Sequence, residues 1–481
     1  MDLPSARKQD SVLALCVVAF LAAIYLSTLL PGPGFHGDVA KWQFVPALGG
    51  IPHPTGYPSY LLLQGTFTNL VPFGELAWRA NLFSALCMLG AAAVLFAIQR
   101  TLEVPGHIAL LVSAGFGLWT TVWTLAIVAE VYALNVLLLA VMTLGVLRWE
   151  RTGQGRWLLL LAAALAVALG NHLTALAAVP ALAAVLWTSS RPVPRDPRLW
   201  GAAGALLLLG ASSYGLLILR THDPSTPYVE SPVPDLAALF TLLRGGDFGG
   251  SLRLGALVGL PPTLGRVVLE TFGGALLGLW GWTRLPRGAR IWAAVLGGLY
   301  VAWLGVFDIP DIHLHALPLY LLAAIGLGPA VAAFDRPRAV VYGLGGWLAL
   351  CLAVGSGAIR SQVHESPLTH RAMGMASWFD AMGSQAILMS PAYHESEYLW
   401  YALLGVGHGE RRQLHVVHDA DLDAVAAYVR GEGPLHLRQR RMDAPEGWTV
   451  YFIRAEDGQG LLGRGLRVEP AGAGLYRVLP Q

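Results

Sequence analysis

The side chains best suited to proton transfer lie between the first two long apolar runs of the chain. Asp38 follows the first run, and a carboxylate at that point can take a proton from a hydroxyl group as its oxygen attacks. His53 stands between Pro52 and Pro54, which restrict the backbone on both sides and so aim the imidazole ring. Taken alone, Asp38 is more simply explained as a solvated loop aspartate, and its neighbours are what favour chemistry.

Three further polar residues occur where other apolar runs begin or end. Glu130 is a lone acid, and because burying an unpaired carboxylate is costly, it needs either a partner or a function. Its candidate structural partners are Arg79, Lys41 and Asn135. Asn171 and His172 are adjacent at the end of another run, where a hydrogen-bonded structural role and a role in a site are both open.

Two arginines are the cations best placed to bind a phosphate group. The guanidinium groups of Arg79 and Arg220 can each donate two parallel hydrogen bonds to the oxygens of a phosphate. The alternative is that both are ordinary arginines at the membrane interface. His313 and His315 offer possible metal ligands, but their spacing suits an extended loop and lacks a cysteine partner or a zinc helix signature. We therefore predict no metal site and no cofactor, with a divalent metal as the open alternative.

Composition places all these residues in a membrane protein. The chain is 55% hydrophobic and only 13% charged, about half the usual charged share of a globular domain. The formal net charge of +2 and the lack of a basic stripe give no basis for nucleic-acid binding. The three cysteines lie inside apolar runs, which predicts no disulfide.

The long apolar runs predict eleven membrane-spanning helices. Cytoplasmic loops retain positive charges, so Arg7 and Lys8 place the N-terminus in the cytoplasm. The arginine-rich connections then all fall on the cytoplasmic side. The predicted spans are 11–30, 80–99, 107–126, 131–147, 157–170, 173–188, 199–219, 262–282, 291–307, 316–333 and 339–357.

The polar residues described above then share the opposite, exoplasmic face, which predicts a water-exposed chamber there. The first exoplasmic loop is predicted over residues 31–79, and the proline-broken apolar stretch 57–73 within it predicts an interfacial helix.

Beyond residue 360 the composition changes, since charged residues become frequent and alternate with apolar ones. We predict an all-α polytopic membrane domain over residues 1–360 and a small exoplasmic α/β domain over residues 361–481. The predicted strands are 386–389, 413–417, 449–454 and 475–479, and the predicted helices are 395–404 and 421–430.

Several stretches of the first 175 residues or so resemble a known family. They are Gly37 to Phe44, Leu48 to Tyr60 with its His-Pro-Thr-Gly-Tyr-Pro element, and Trp78 to Leu86. The segments around Glu130 and Asn171 resemble further motifs of the same family. It is a family of polytopic proteins long catalogued as a domain of unknown function, similar to the protein O-mannosyltransferases and placed among the GT-C membrane glycosyltransferases.

The resemblance implies a GT-C-like fold and transfer of a sugar from a polyprenyl-phosphate donor. The family's base is an acid of the first exoplasmic loop, which here is Asp38. Many relatives carry a second acid a few residues later, where this chain has Lys41. We expect inversion at the sugar and a protein, lipid or glycan acceptor. The residues expected to bind the donor are His53, Tyr57, Arg79, Glu130, Asn171, His172 and Arg220.

Two other functions are compatible with the sequence. A transporter of a polar or lipid-linked solute also gathers polar residues in the membrane, although its ionisable residues usually lie at the midplane. A non-catalytic membrane scaffold would use the C-terminal domain to recruit a partner. Because arginine far outnumbers lysine, with only Lys8 and Lys41 present, we expect a GC-rich bacterial source and the plasma membrane.

Overall fold

Long uncharged apolar runs form helices because a helix satisfies its own backbone hydrogen bonds, as the interior of a bilayer requires. The computed structural model describes residues 4–34, 37–245, 250–364, 377–390, 393–405, 413–418, 421–437 and 442–481. Over residues 4–364 it consists of a helical bundle. The helices are α1 (Pro4–Thr28), α2 (Val39–Leu48), α3 (Pro58–Leu70), α4 (Leu76–Thr101), α5 (Gly106–Leu118), α6 (Thr120–Ile127), α7 (Val131–Thr152), α8 (Arg156–Leu169), α9 (Ala178–Thr188), α10 (Pro197–Ser212), α11 (Gly215–His222), α12 (Leu236–Leu243), α13 (Leu260–Glu270), α14 (Gly274–Trp282), α15 (Arg287–Val306), α16 (Leu317–Ala332) and α17 (Pro337–His364).

Among the described residues, seven helical segments are long and apolar enough to cross a membrane. An eighth is added if α5 and α6, which meet at a bend of 68°, form one span. The predicted class of multi-span helical membrane protein is confirmed, and every predicted span falls on a helix.

The number of full-length spans is nevertheless lower than the eleven predicted. The predicted spans 157–170 and 173–188 fall on shorter apolar helices, and 262–282 falls on α13 and α14, of 11 and 9 residues. At 1.5 Å per residue, a helix of 14 residues is roughly 21 Å long, which is less than the ~30 Å of hydrocarbon. An apolar run therefore predicts the presence of a helix more reliably than it predicts the length of that helix.

The first loop folds into two helices that pack against the bundle. The predicted helix over residues 57–73 is confirmed as α3, whereas α2 was not expected. Gln64 on α3 donates through Nε2 to the Trp42 carbonyl on α2, at 3.0 Å. Asn81 on α4 accepts through Oδ1 from Gln43 Nε2 at 2.9 Å and from the Ala129 amide at 2.8 Å. These buried hydrogen bonds fix α2 between α3, α4 and the start of α7.

A later segment of the chain, around Tyr228, pairs with this loop. The Ile51 amide donates to the Tyr228 carbonyl and the Glu230 amide donates to the Ile51 carbonyl, both at 2.9 Å. This short parallel bridge places the side chains of Tyr228 and Glu230 beside α2.

The C-terminal part of the chain forms a small mixed sheet with helices. The five-stranded sheet has the order β2-β1-β5-β7-β6, in which β1 is parallel to β2 and β5, and β7 is antiparallel to β5 and β6. The predicted α/β class is confirmed, as are the four predicted strands and both helices. The elements are β1 (Gln385–Ser390), α18 (Tyr393–Trp400), β2 (Gln413–His418), α19 (Leu422–Val429), β3 (His436–Leu437), β4 (Met442–Asp443), β5 (Thr449–Phe452), α20 (Ala455–Leu462), β6 (Leu466–Gly472) and β7 (Leu475–Pro480).

Helix α18 joins the sheet to the first loop. The ring of Trp400 lies 5.7 Å from that of Tyr228, and the Tyr401 hydroxyl accepts from the Ala77 amide at 3.1 Å. Both aromatic residues belong to an apolar cluster that also contains Phe44 of α2. The C-terminal region therefore packs directly on the loop that carries the candidate site. The predicted domain boundary at residue 360 stays a prediction, and α17 extends past it.

Candidate active site

A fully buried lysine organises the first half of the site. The Lys41 ammonium lies 2.7 Å from Glu230 Oε2, 3.4 Å from Asp38 Oδ1 and 3.8 Å from Glu397 Oε1. It also donates to His53 Nδ1 at 3.0 Å. We call Asp38, Lys41, His53, Glu230 and Glu397 the Lys41 cluster. Burial would lower the pKa of Lys41, but the charges of Asp38 and Glu230 outweigh that effect and hold it above its usual value, so this residue stays charged.

Asp38 is the member of the Lys41 cluster that remains open to solvent. It lies at the N-terminal end of α2, and its side chain is 25% exposed. Burial alone would raise the pKa of Asp38, but the Lys41 ammonium outweighs that effect and holds it below the usual value. Asp38 therefore presents an ionised, partly accessible carboxylate, which is the state that a general base requires.

His53 connects Asp38 to Tyr57. Because an ammonium group only donates, His53 Nδ1 must accept from Lys41, and the proton of the neutral ring lies on Nε2. That nitrogen faces the Tyr57 hydroxyl at 3.1 Å and Asp38 Oδ2 at 3.6 Å. The flanking prolines and these contacts fix the ring as the sequence predicted.

Glu397 joins the Lys41 cluster from a distant part of the chain, and Tyr228 contacts it there. The Tyr228 hydroxyl donates to Glu397 Oε1 at 3.1 Å. Complete burial raises the pKa of Glu397 to about 8 despite the nearby Lys41 ammonium, and the charges of Glu230 and Asp38 act in the same direction. Burial therefore favours the protonated form of Glu397.

A second, aromatic group adjoins the first. We call Tyr132, His172, Trp303 and His315 the histidine cluster. Trp303 donates through Nε1 to His315 Nδ1 at 3.1 Å, so the other His315 nitrogen carries the proton that faces the Tyr132 hydroxyl at 3.0 Å. The ring of His172 lies 5.2 Å from that of His315. Burial lowers the pKa of His172 to about 4, so its ring is neutral.

Two more carboxyl groups lie between the clusters. Gly37 adopts a positive φ of 54°, and a Cβ at that position would lie 3.8 Å from Asp311 Oδ2 and 3.9 Å from Glu130 Oε1. Burial raises the pKa of Glu130 well above its usual value, and the charges of Asp38 and Asp311 add to the effect. Within the described ranges, no group of three or more His, Cys, Asp or Glu side chains is arranged to hold a metal ion.

Part of the chain matches a known sequence family. Residues 44–193 match the model of the Protein O-mannosyl-transferase TMEM260 N-terminal domain. The mouse (Mus musculus) protein O-mannosyl-transferase TMEM260 is 32% identical over 140 residues, which are 28% of this chain and 19% of that protein. The Dictyostelium discoideum protein of the same name is 29% identical over 144 residues, 29% of this chain and 17% of that protein. Residues 44–193 are therefore similar to the N-terminal domain of the TMEM260 protein O-mannosyl-transferases.

The whole chain has the fold of a solved membrane protein. The structure of ArnT from Cupriavidus metallidurans bound to undecaprenyl phosphate aligns with a TM-score of 0.63, over 96% of this chain and 97% of the ArnT chain, at 14% identity. At this identity the likeness establishes the fold, which is the GT-C fold of a multi-pass integral membrane protein. This chain spans less than a fifth of the length of the two TMEM260 relatives.

The TMEM260-like region supplies most of the predicted site residues. His53, Tyr57, Glu130 and His172 lie within it and come together in the structure, since the Tyr57 ring is 6.1 Å from that of His172. Asn171 donates through Nδ2 to the Val131 carbonyl at 3.1 Å and so holds the start of α7 beside His172.

The two predicted phosphate-binding arginines have different surroundings. Arg79 donates through Nη1 to the carbonyls of Thr68 and Val71, at 2.8 and 3.0 Å, and so binds the end of α3 to α4. Arg220 donates through Nη1 to the Gly50 carbonyl at 3.1 Å, next to the C-terminal end of α2. Arg79 thus has an evident structural role, and Arg220 lies at the opposite end of α2 from Asp38.

Sequence reasoning missed several members of the site. Lys41 was noted only as a departure from the family pattern and as a candidate partner of Glu130. Its signal was its position as the only lysine or arginine between Lys8 and Arg79, because such a cation must be paired when it is buried. Glu230 and Glu397 carried no comparable signal, since acids in a loop and at a helix start are usually solvated.

Proposed function

We propose that this protein is a membrane glycosyltransferase that moves a sugar from a polyprenyl-phosphate donor to an acceptor hydroxyl, with inversion at the sugar. Asp38 acts as the general base. The observation that carries this proposal is the ionised and partly exposed Asp38 carboxylate, fixed by Lys41 and His53 at the start of α2.

Asp38 takes the proton of the acceptor hydroxyl as the acceptor oxygen attacks the sugar carbon and the bond to the lipid phosphate breaks. Positioned proton transfer of this kind contributes about a hundredfold to ten-thousandfold to a rate. Its two carboxylate oxygens have different surroundings, because Oδ1 faces the Lys41 ammonium and Oδ2 faces the imidazole of His53. These contacts support a base held in one orientation.

The departing lipid phosphate requires a cation. Arg220 is the better of the two predicted arginines, because its guanidinium group donates one hydrogen bond, to Gly50, among the residues that the structure describes. His53, Tyr57, Glu130, Asn171 and His172 form the wall of the donor pocket. The ArnT relative in fold is bound to undecaprenyl phosphate, which supports a lipid of that class as the donor.

The site faces the exoplasmic side of the membrane in this proposal. The support is the distribution of arginine, since the connections at the opposite ends of the helices carry most of the positive charge. The C-terminal sheet then lies on the exoplasmic side as well, and the acceptor is a protein, lipid or glycan there. The bacterial plasma membrane is the proposed location.

The experiment uses purified full-length protein in detergent with undecaprenyl-phosphate mannose carrying a tritium label. We expect the wild type to release or transfer the label and Asp38→Asn to lower that rate by about a hundredfold or more. The matched control is Asp308→Asn, because Asp308 is half-exposed and pairs with Arg253 rather than with the site. Equal rates for Asp38→Asn and the wild type contradict the proposal, and uptake of intact donor by proteoliposomes without cleavage supports a transporter.

A further inference from the structure

The Lys41 ammonium draws its partners from separate parts of the chain. Asp38 lies one helical turn away on α2, and His53 follows in the same loop. Glu230 comes from the segment that pairs with Ile51, and Glu397 comes from α18 in the C-terminal region. Because the ammonium is fully buried, its charge is stabilised by these side chains rather than by water.

Helix α18 reaches Lys41 through a defined set of contacts. Glu397 is completely buried and receives the hydrogen bond of Tyr228, while the Tyr401 hydroxyl binds the Ala77 amide at the start of α4. The same face of α18 packs its Trp400 ring against Tyr228. The seating of α18 therefore determines whether the polar surroundings of Lys41 are complete.

Asp38 depends on the same ammonium group. Its Oδ1 lies 3.4 Å from Lys41 Nζ, and Lys41 Nζ lies 3.8 Å from Glu397. Removal of Glu397 would leave a space beside the ammonium. The lysine side chain would then move or take up water, and the Asp38 carboxylate would lose a fixed neighbour.

We propose that Lys41 and Glu397 are positioning residues, through which the docked C-terminal helix α18 holds the Asp38 carboxylate in its reactive orientation. This inference rests on the proposed role of Asp38 as the base. It makes the C-terminal region a structural part of the site, in contrast to a separate module that only recruits a partner.

The test compares Glu397→Ala with Glu395→Ala on the same helix. Glu395 is also buried, but it pairs with Arg454 within the C-terminal region at 2.8 Å. We expect Glu397→Ala to lower kcat for undecaprenyl-phosphate mannose by about a hundredfold with little change in KM, because small misplacements of reacting groups have effects of that size. Glu395→Ala should leave kcat within about twofold of the wild type.

A conservative variant separates positioning from simple packing. Four groups face the Glu397 carboxyl, namely Lys41, Asp38, Glu230 and Tyr228. Glu397→Gln preserves the shape of the side chain and an oxygen that accepts from the Tyr228 hydroxyl. We expect Glu397→Gln to restore kcat to within about fivefold of the wild type at pH 7. A Gln variant as slow as the Ala variant overturns the inference.

A second measurement does not depend on activity. Amide hydrogen exchange of residues 39–43 in α2 should become about tenfold faster in Glu397→Ala and stay unchanged in Glu395→Ala. If the wild type transfers no mannose but amide exchange differs between the two variants as expected, the proposed function fails while the link between α18 and α2 stands. If the wild type is active and Glu397→Ala changes neither kcat nor exchange, the coupling fails and the proposed function stands.

Discussion

The Lys41 cluster and the histidine cluster lie side by side but are stabilised in different ways. The first holds a buried cation among three carboxyl groups and leaves Asp38 partly open to solvent. The second is neutral, and its members satisfy one another through ring contacts and hydrogen bonds such as that from Trp303 to His315.

Under the proposed function, the two clusters would have different roles within one site. Charges that are arranged in advance suit proton transfer and the stabilisation of an ionised base. Neutral aromatic and imidazole groups suit the binding of a polar, uncharged ligand such as a sugar ring. The clusters meet at Tyr57, whose hydroxyl faces His53 and whose ring faces His172.

Of the variants that test this comparison, Lys41→Met should change the free energy of unfolding most. Removal of one partner from a buried charge cluster typically lowers the free energy of unfolding by about 3–5 kcal/mol, because the remaining charges stay buried without compensation. Denaturant unfolding in detergent, followed by tryptophan fluorescence, measures the change. The other lysine provides the control, since Lys8 is exposed and Lys8→Met should change stability by less than about 0.5 kcal/mol. A Lys41→Met protein as stable as the wild type would show that the cluster contributes nothing.

A smaller effect should distinguish the two clusters, namely the dependence of their stability on pH. The pKa of His172 is lowered from 6.5 to about 4 in the folded protein, so between these values the unfolded chain binds the proton more readily. Stability should therefore fall as the pH decreases from about 6.5 toward 4. We expect the melting temperature of His172→Gln to depend less on pH between 7.5 and 5 than that of the wild type.

Asp38 provides the contrast in the same experiment. Its pKa is lowered below the ordinary value of 3.8, so its contribution to stability is present above that pH and is lost only at lower pH. The melting curves of Asp38→Asn and the wild type should therefore remain parallel between pH 7.5 and 5. A His172→Gln curve that also runs parallel to the wild type would contradict the assignment of the acid response to the histidine cluster.

The smallest effect should come from Tyr228→Phe. This change removes the hydroxyl that donates to Glu397, and the loss of one such hydrogen bond is worth about 1 kcal/mol. Tyr342→Phe is the control, since Tyr342 on α17 is 77% exposed. The same denaturant measurement applies, and equal stability of the two variants would count against a role for Tyr228 in seating α18.

The sequence predicted the parts of the site that local patterns reveal. Asp38, His53 and Glu130 stood out because polar groups at the ends of apolar runs are unusual, and the prolines beside His53 indicated a fixed ring. The helices were predicted for a similar reason, since uncharged runs of that length have few other stable structures. Helix α2 was missed because its residues are buried on all sides and show no clear apolar face.

The remainder of the site depends on contacts that no local pattern encodes. Tyr228 and Glu397 are 169 residues apart in the sequence, yet their side chains share a hydrogen bond. The raised pKa of Glu397 follows from complete burial, which is a property of the folded molecule rather than of the residues near it. For the same reason Lys41 was interpreted as a departure from a pattern before its partners were known.

The contribution of α18 to the Lys41 cluster has a consequence for the order of events during synthesis. Ribosomes produce the chain from its N-terminus at about 5–20 residues per second, so Glu397 emerges tens of seconds after Lys41. Every helix from α1 to α17 precedes it. The Lys41 cluster is thus completed late, and a nascent or truncated chain that stops before α18 enters the membrane without Glu397 beside Lys41.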